Sequence, residues 1–84
     1  MNGVAAFVVR FKGMLTRQER KQLEAAGITI ERKERSMRIG AVKTGRPIFT
    51  VRIEAASGEE ALAKVREALE PDTANFSNWE SASA

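Results

Sequence analysis

Three chemically versatile side chains are missing from this 84-residue chain, which has no cysteine, no histidine and no tyrosine. Without cysteine, neither a disulfide framework nor a thiolate metal site can form. Without histidine, the chain lacks the side chain that most often exchanges protons near neutral pH, and also the commonest nitrogen ligand for metals. We therefore expect no enzymatic activity, no metal and no cofactor.

Long apolar segments are missing as well. The longest one runs from Val4 to Val9, far short of the roughly 20 residues that a membrane-spanning helix needs. No basic segment precedes it in the way expected of a secretory signal peptide. The protein is therefore expected to work in the cytoplasm and to have no membrane partner.

The charges that are present are divided unevenly along the chain. Residues 1–54 hold 12 Lys and Arg against 5 Asp and Glu, whereas residues 55–84 hold 2 against 6. The overall formal charge of +3 hides this division. A basic first part and an acidic last part are typical of a protein with a positive working surface, but charge alone does not identify the partner.

Three strands are predicted from alternating apolar and polar side chains. The first covers residues 4–12, the last covers residues 48–54, and the middle one begins at Ile28. A bend, a bulge or a turn interrupts the middle strand at residues 34–36, and the sequence leaves these alternatives open. A hairpin tip is predicted at residues 43–46.

Two helices are predicted, each beginning with a capping box. In this motif a hydroxyl and a carboxylate three residues later satisfy free backbone N–H groups. Thr16 with Glu19 begins a helix that ends near Ala26, and Ser57 with Glu60 begins a second, more strongly amphipathic helix.

The order of these elements, β-α-β-β-α, predicts an α+β fold: a small antiparallel sheet of three to four strands with both helices packed on one face. It resembles a ferredoxin-like topology without its last strand, a resemblance that covers about residues 4–70 and carries no functional residues. Residues 1–70 are thus predicted to form a single domain. Residues 71–84 are predicted to be a largely flexible tail, with Phe76 and Trp79 as an aromatic pair able to dock on the core.

Packing of both helices on one face leaves the opposite face of the sheet for binding. Alternation places cationic and apolar side chains on that face, and the basic hairpin continues it. The candidate partner-binding residues are Arg10, Lys12, Arg38, Val42, Lys43, Arg46, Ile48 and Arg52.

The preferred hypothesis is a small non-enzymatic binding domain that acts through protein–protein contact, as a regulator, an inhibitor, an adaptor or a homodimer. Val8, Val42 and Ile48 would form its apolar centre, and an edge strand could pair with another chain. The alternative is a nucleic-acid-binding accessory protein that contacts phosphates through the cations of its basic sheet face and hairpin. The predicted face has no aromatic side chains, which counts against the alternative because RNA-binding sheets of this shape stack bases on aromatic rings.

Overall fold

The structure, a computed structural model, describes residues 3–39 and 42–84, with residues 35–39 and 42–45 described by their backbone alone. The elements follow in the order β1 (Ala5–Lys12), α1 (Arg17–Ala25), β2 (Thr29–Ile39), β3 (Val42–Ala55), α2 (Gly58–Ala68), a 3₁₀ helix (Asp72–Asn75) and β4 (Ser77–Ser83). The strands form one antiparallel sheet in the order β2-β3-β1-β4. The prediction of a small α+β fold with an antiparallel sheet is confirmed.

The predicted element order is wrong at its end, because β4 follows α2. The segment Ser77–Ser83 consists mostly of small and polar residues, a composition that favours a tail over a strand. It becomes a strand by lying beside β1, where residues 80–83 pair with residues 7–10. Pairing satisfies its backbone N–H and C=O groups whatever its side chains prefer. Residues 71–84 therefore contribute a strand to the sheet.

The core lies against one face of the sheet. Successive side chains on a strand point to opposite faces, and every second side chain is buried from Val9 onward in β1 and from Pro47 onward in β3. Both helices and the segments that flank them add apolar side chains to the same cluster. The buried apolar residues are Val9, Phe11, Leu15, Leu23, Ile28, Phe49, Val51, Ile53, Ala55, Ala61, Val65, Leu69 and Phe76.

An aromatic cluster ties the end of the chain to this core. The ring of Phe11 stacks on Phe49 with the centroids 5.8 Å apart, and Phe76 meets Phe11 edge-on at 5.3 Å. Trp79 lies 5.0 Å from Phe11, and the guanidinium of Arg66 lies 5.7 Å from the indole ring. Phe76 is only 5% exposed. Both aromatic residues of the predicted tail thus pack on the core, at the start of β4.

The two helices are capped differently. At α1 the capping box is complete, since Glu19 N–H donates to Thr16 Oγ1 at 3.1 Å and Thr16 N–H donates to Glu19 Oε1 at 2.8 Å. At α2, Glu60 N–H donates to Ser57 Oγ at 3.1 Å, but Glu60 Oε1 accepts from Ala56 N–H at 3.4 Å. The second predicted capping box is therefore half formed, with its carboxylate bound one residue upstream.

The hairpin of β2 and β3 is much longer than the rest of the sheet. The last residue of β1, Lys12, pairs with Ile48, whereas β3 begins at Val42. We call residues 35–39 and 42–47, which extend past the end of β1, the hairpin arm. The 14 residues of β3, at about 3.3 Å each, give a strand about 46 Å long. This strand accounts for most of the 52 Å length of the molecule.

A register shift lies at the base of the hairpin arm. Between Arg35 and Met37 one residue of β2, Ser36, faces two residues of β3, Gly45 and Arg46. Of the three alternatives left open for residues 34–36, the structure therefore has a bulge-like irregularity. The predicted hairpin tip at residues 43–46 is wrong, because these residues belong to β3. Gly45, which lies within the predicted tip, is instead at the register shift, where backbone freedom is also useful.

Candidate functional site

The sheet face opposite the core is open to solvent. Strand register places Arg32, Thr50, Arg10 and Glu80 in one row across all four strands. The side chains of β1 and β3 that point to this side are exposed or half-buried. We call this surface the open sheet face. Its β1 and β3 members are Ala6, Val8, Arg10, Lys12, Ile48, Thr50, Arg52 and Glu54.

The charge on the open sheet face is mixed. Each of its arginines has a carboxylate close by, so the positive charge is largely balanced within the face. The pairs are Arg10 with Glu80, opposite each other in register, Arg32 with Glu34 at 3.3 Å, and Arg52 with Glu31 at 3.8 Å.

The apolar side chains of the open sheet face do not meet. Val8 and Ile48 lie on either side of the row that contains Arg10 and Thr50, and four residues of strand separate them by about 13 Å. Val42 lies farther along β3, in the hairpin arm, and its side chain is outside those described. The apolar centre expected for a protein contact is therefore interrupted by a polar row.

The hairpin arm carries charge of one sign. Its residues include four cations, Arg35, Arg38, Lys43 and Arg46, and no Asp or Glu. Arg38 and Lys43 are direct cross-strand partners. The hairpin arm thus concentrates positive charge on two paired strands.

Hydrogen bonds of Arg46 and Pro47 join the base of the hairpin arm to the rest of the molecule. Arg46 Nη1 donates to the carbonyl oxygen of Asn75 at 3.4 Å. Gly13 N–H donates to the carbonyl oxygen of Pro47 at 3.0 Å. Arg46 is exposed and so remains open to a ligand, but it also helps to hold the arm in place.

The predicted partner-binding residues therefore fall into two groups. Arg10, Lys12, Ile48 and Arg52 share the open sheet face. Arg38, Val42, Lys43 and Arg46 belong to the hairpin arm, where only the side chain of Arg46 is described.

Sequence reasoning missed two residues that determine the balance of charge. Arg35 lies in the segment predicted to be a bend, a bulge or a turn and is absent from the predicted partner-binding residues, although it belongs to β2 and adds to the charge of the arm. Glu80 was placed in a tail, although it lies opposite Arg10 and offsets its charge. The signal that could have revealed β4 was the pair Phe76 and Trp79, because two large apolar rings in a polar segment indicate a return to the core.

The part of the chain that the structure describes shows neither a group of metal-ligating side chains nor a membrane-spanning helix. No group of three or more carboxylates in residues 3–39 and 42–84 is placed to hold a metal ion. No helix in these ranges is both long enough and apolar enough to cross a membrane.

No protein-family model matches the chain, and no curated protein or solved structure matches it either. Function is therefore inferred from the charge and geometry of this chain alone.

Proposed function

We propose that this protein is a non-enzymatic binding domain that holds nucleic acid through its hairpin arm. The observation that carries the proposal is the charge of the arm, which has four cations and no acidic residue in its described positions. A cluster of Lys and Arg on a protruding element is the electrostatic footprint of phosphate binding.

The distribution of charge over the molecule supports the arm over the open sheet face as the contact surface. On the sheet face, arginines such as Arg32 and Arg52 lie close to carboxylates. Residues 55–84, which hold α2 and β4, carry 6 acidic residues against 2 basic ones. A polyanion is attracted to the positive end of such a molecule and repelled from the other.

The geometry of the open sheet face makes protein–protein contact a weaker candidate for the main function than nucleic-acid binding. That hypothesis needs a continuous apolar centre, because interface energy comes largely from a few desolvated side chains at the middle of the contact. Val8 and Ile48 are separated by a polar row. Phosphate contacts need neither an apolar centre nor aromatic rings, since they position a nucleic acid without stacking on its bases.

Fluorescence anisotropy with a labelled DNA duplex tests the proposal. Replacing the cross-strand pair, Arg38→Gln with Lys43→Gln, should weaken binding at least about tenfold, because two phosphate contacts are lost. Arg46 is left intact because it also holds the base of the arm.

The matched control removes the same charge from the open sheet face, by Arg10→Gln with Arg52→Gln. We expect this variant to bind within about twofold of the wild type, because both arginines lie beside carboxylates. Loss of binding in the sheet variant but not in the arm variant would contradict the proposal, as would the absence of nucleic-acid binding in the wild type.

A second candidate function, self-association, is favoured by the outer edge of β4. As the last strand of the sheet, β4 pairs with β1 on one side only. Its residues Ser81, Ala82 and Ser83 carry no charge, whereas Glu31 to Glu34 of the other edge strand, β2, are all charged. Charged side chains protect a strand edge from pairing. Two copies of β4 could pair antiparallel about a two-fold axis.

Sedimentation velocity tests the dimer. Because Ala84 N–H donates to Ala6 C=O, alternation directs the N–H of Ser83 away from β1. The substitution Ser83→Pro should therefore remove an outward donor and convert dimer to monomer without breaking a bond to β1. A wild-type protein that stays monomeric as its concentration rises would eliminate this candidate.

We also propose that the fold is a complete ferredoxin-like one. The chain order β-α-β-β-α-β is the order of that topology, and the central place of β1 and β3 in the sheet supports the assignment. The fold itself carries no function, since many unrelated activities share such topologies.

A further inference from the structure

We infer that the nucleic acid held by this protein is B-form duplex DNA, and that the hairpin arm enters its major groove. The inference rests on the proposed function and names its ligand. It draws on three features of the hairpin arm: it has no aromatic side chains, it is a two-stranded ribbon, and it has cations on both strands.

The lack of aromatic residues argues against a single-stranded ligand. Proteins that hold single strands stack the bases on aromatic rings beside a positive groove. Of the five aromatic residues in this chain, none lies in the hairpin arm. Phe7, Phe11, Phe49, Phe76 and Trp79 all belong to or pack against the core cluster. No ring is therefore left to stack on an exposed base.

The shape of the hairpin arm suits one kind of groove. Its two antiparallel strands lie about 4.8 Å apart, and the major groove of B-form DNA, about 12 Å wide, admits a two-stranded ribbon. The major groove of A-form RNA is too deep and narrow for side chains to reach the bases. From Ile48 to Val42 the arm extends about 20 Å beyond β1, more than the groove depth of about 8.5 Å. The body of the protein can thus stay clear of the duplex.

Each strand of the hairpin arm carries two of its four cations, an arrangement that suits the two phosphate backbones that border a groove. Arg35 and Arg38 lie on β2, while Lys43 and Arg46 lie on β3. A ribbon in a groove has a phosphate backbone on each side, so each strand brings its own cations to one of the two backbones. Two of these cations, Arg38 and Lys43, are cross-strand partners in the register of β2 and β3.

Binding of three labelled probes tests the inference: a DNA duplex of about two helical turns, an RNA duplex of the same sequence, and one strand of the DNA. We expect the DNA duplex to bind at least about tenfold more tightly than the other two. The Arg38→Gln, Lys43→Gln variant should lose most of this preference. Methyl green, a major-groove ligand, should compete with the protein, and distamycin, a minor-groove ligand, should not.

The outcomes separate this inference from the proposed function. Equal or tighter binding of single-stranded DNA or duplex RNA, still weakened by the arm substitutions, would overturn the duplex-DNA inference and leave the proposed function standing. Displacement by distamycin alone would overturn the major-groove assignment. Binding to none of the probes would overturn both. Circular dichroism melting checks that the variant folds, and Lys43→Gln alone replaces it if it does not.

Discussion

At the scale of single residues, Phe11 of β1 is the side chain against which the aromatic residues near the end of the chain pack. Alternation along β1 predicts that it is buried, because every second residue of a half-buried strand faces the core. Its partners cannot be predicted in the same way. Phe76 and Trp79, which lie 5.3 Å and 5.0 Å from it, are brought there by long-range packing, and local periodicity carries no information on such contacts.

The environment of Trp79 gives a spectroscopic prediction. It is the only tryptophan, it is half-buried, and its ring lies against Phe11 and below the guanidinium of Arg66. Its emission maximum in native buffer should lie at a shorter wavelength than that of tryptophan in water, because packing removes water from the ring. The maximum should move to a longer wavelength on unfolding in denaturant. Emission like that of exposed tryptophan in native buffer would show that the end of the chain is undocked.

Two leucines, Leu62 within α2 and Leu69 at its C-cap, differ in burial and should differ in their contribution to stability. Leu69 is 0% exposed, whereas Leu62 is only partly buried against the core. Leu69→Ala should lower the free energy of unfolding by about 2–5 kcal/mol through lost transfer energy and a cavity. Leu62→Ala makes the same change at a site that water partly reaches, so the fall in the free energy of unfolding should be clearly smaller. Urea denaturation of the two variants measures both, and equal losses would contradict the packing.

At the scale of elements, the sequence predicts what local chemistry determines. The N-terminal ends of α1 and α2 follow from Thr16 and Ser57, whose hydroxyls accept helix N–H groups. Prediction from the sequence fails where an element is determined by the strand with which it pairs. β4 forms because β1 offers an unpaired edge. The turn signal around Gly45 falls at a register shift within β3, since a glycine favours a bulge as readily as a turn.

The stability of β4 as an element can be tested by truncation. Removing residues 77–84 exposes the edge of β1 and uncovers the ring of Phe11, because Trp79 and the paired strand are lost together. In a domain of this size, where total stability is only about 5–15 kcal/mol, we expect a large fall in melting temperature or the loss of a cooperative transition. A melting curve unchanged by the truncation would mean that these residues are a dispensable tail.

At the scale of the whole molecule, the division of charge along the chain predicts a positive surface but not its position. The sequence alone suggested one continuous surface made of the open sheet face and the basic hairpin, without distinguishing between the two. In the structure, Glu80 lies opposite Arg10 on that face. Because β1 ends at Lys12, the hairpin arm extends beyond the part of the sheet that contains β1. The unbalanced charge therefore lies on the arm, a position that depends on relative strand lengths and could not be predicted from composition.

The dependence of DNA affinity on salt tests the role of the hairpin arm most directly. Each neutralised phosphate contributes about 0.9 to the slope of log affinity against log salt, so four contacts predict a slope of about −3.6. The Arg38→Gln, Lys43→Gln variant should bring the slope to about −1.8, and the Arg10→Gln, Arg52→Gln variant should leave it close to the wild-type value. A slope that stays unchanged in the arm variant but flattens in the sheet variant would contradict the proposal that the hairpin arm holds the nucleic acid.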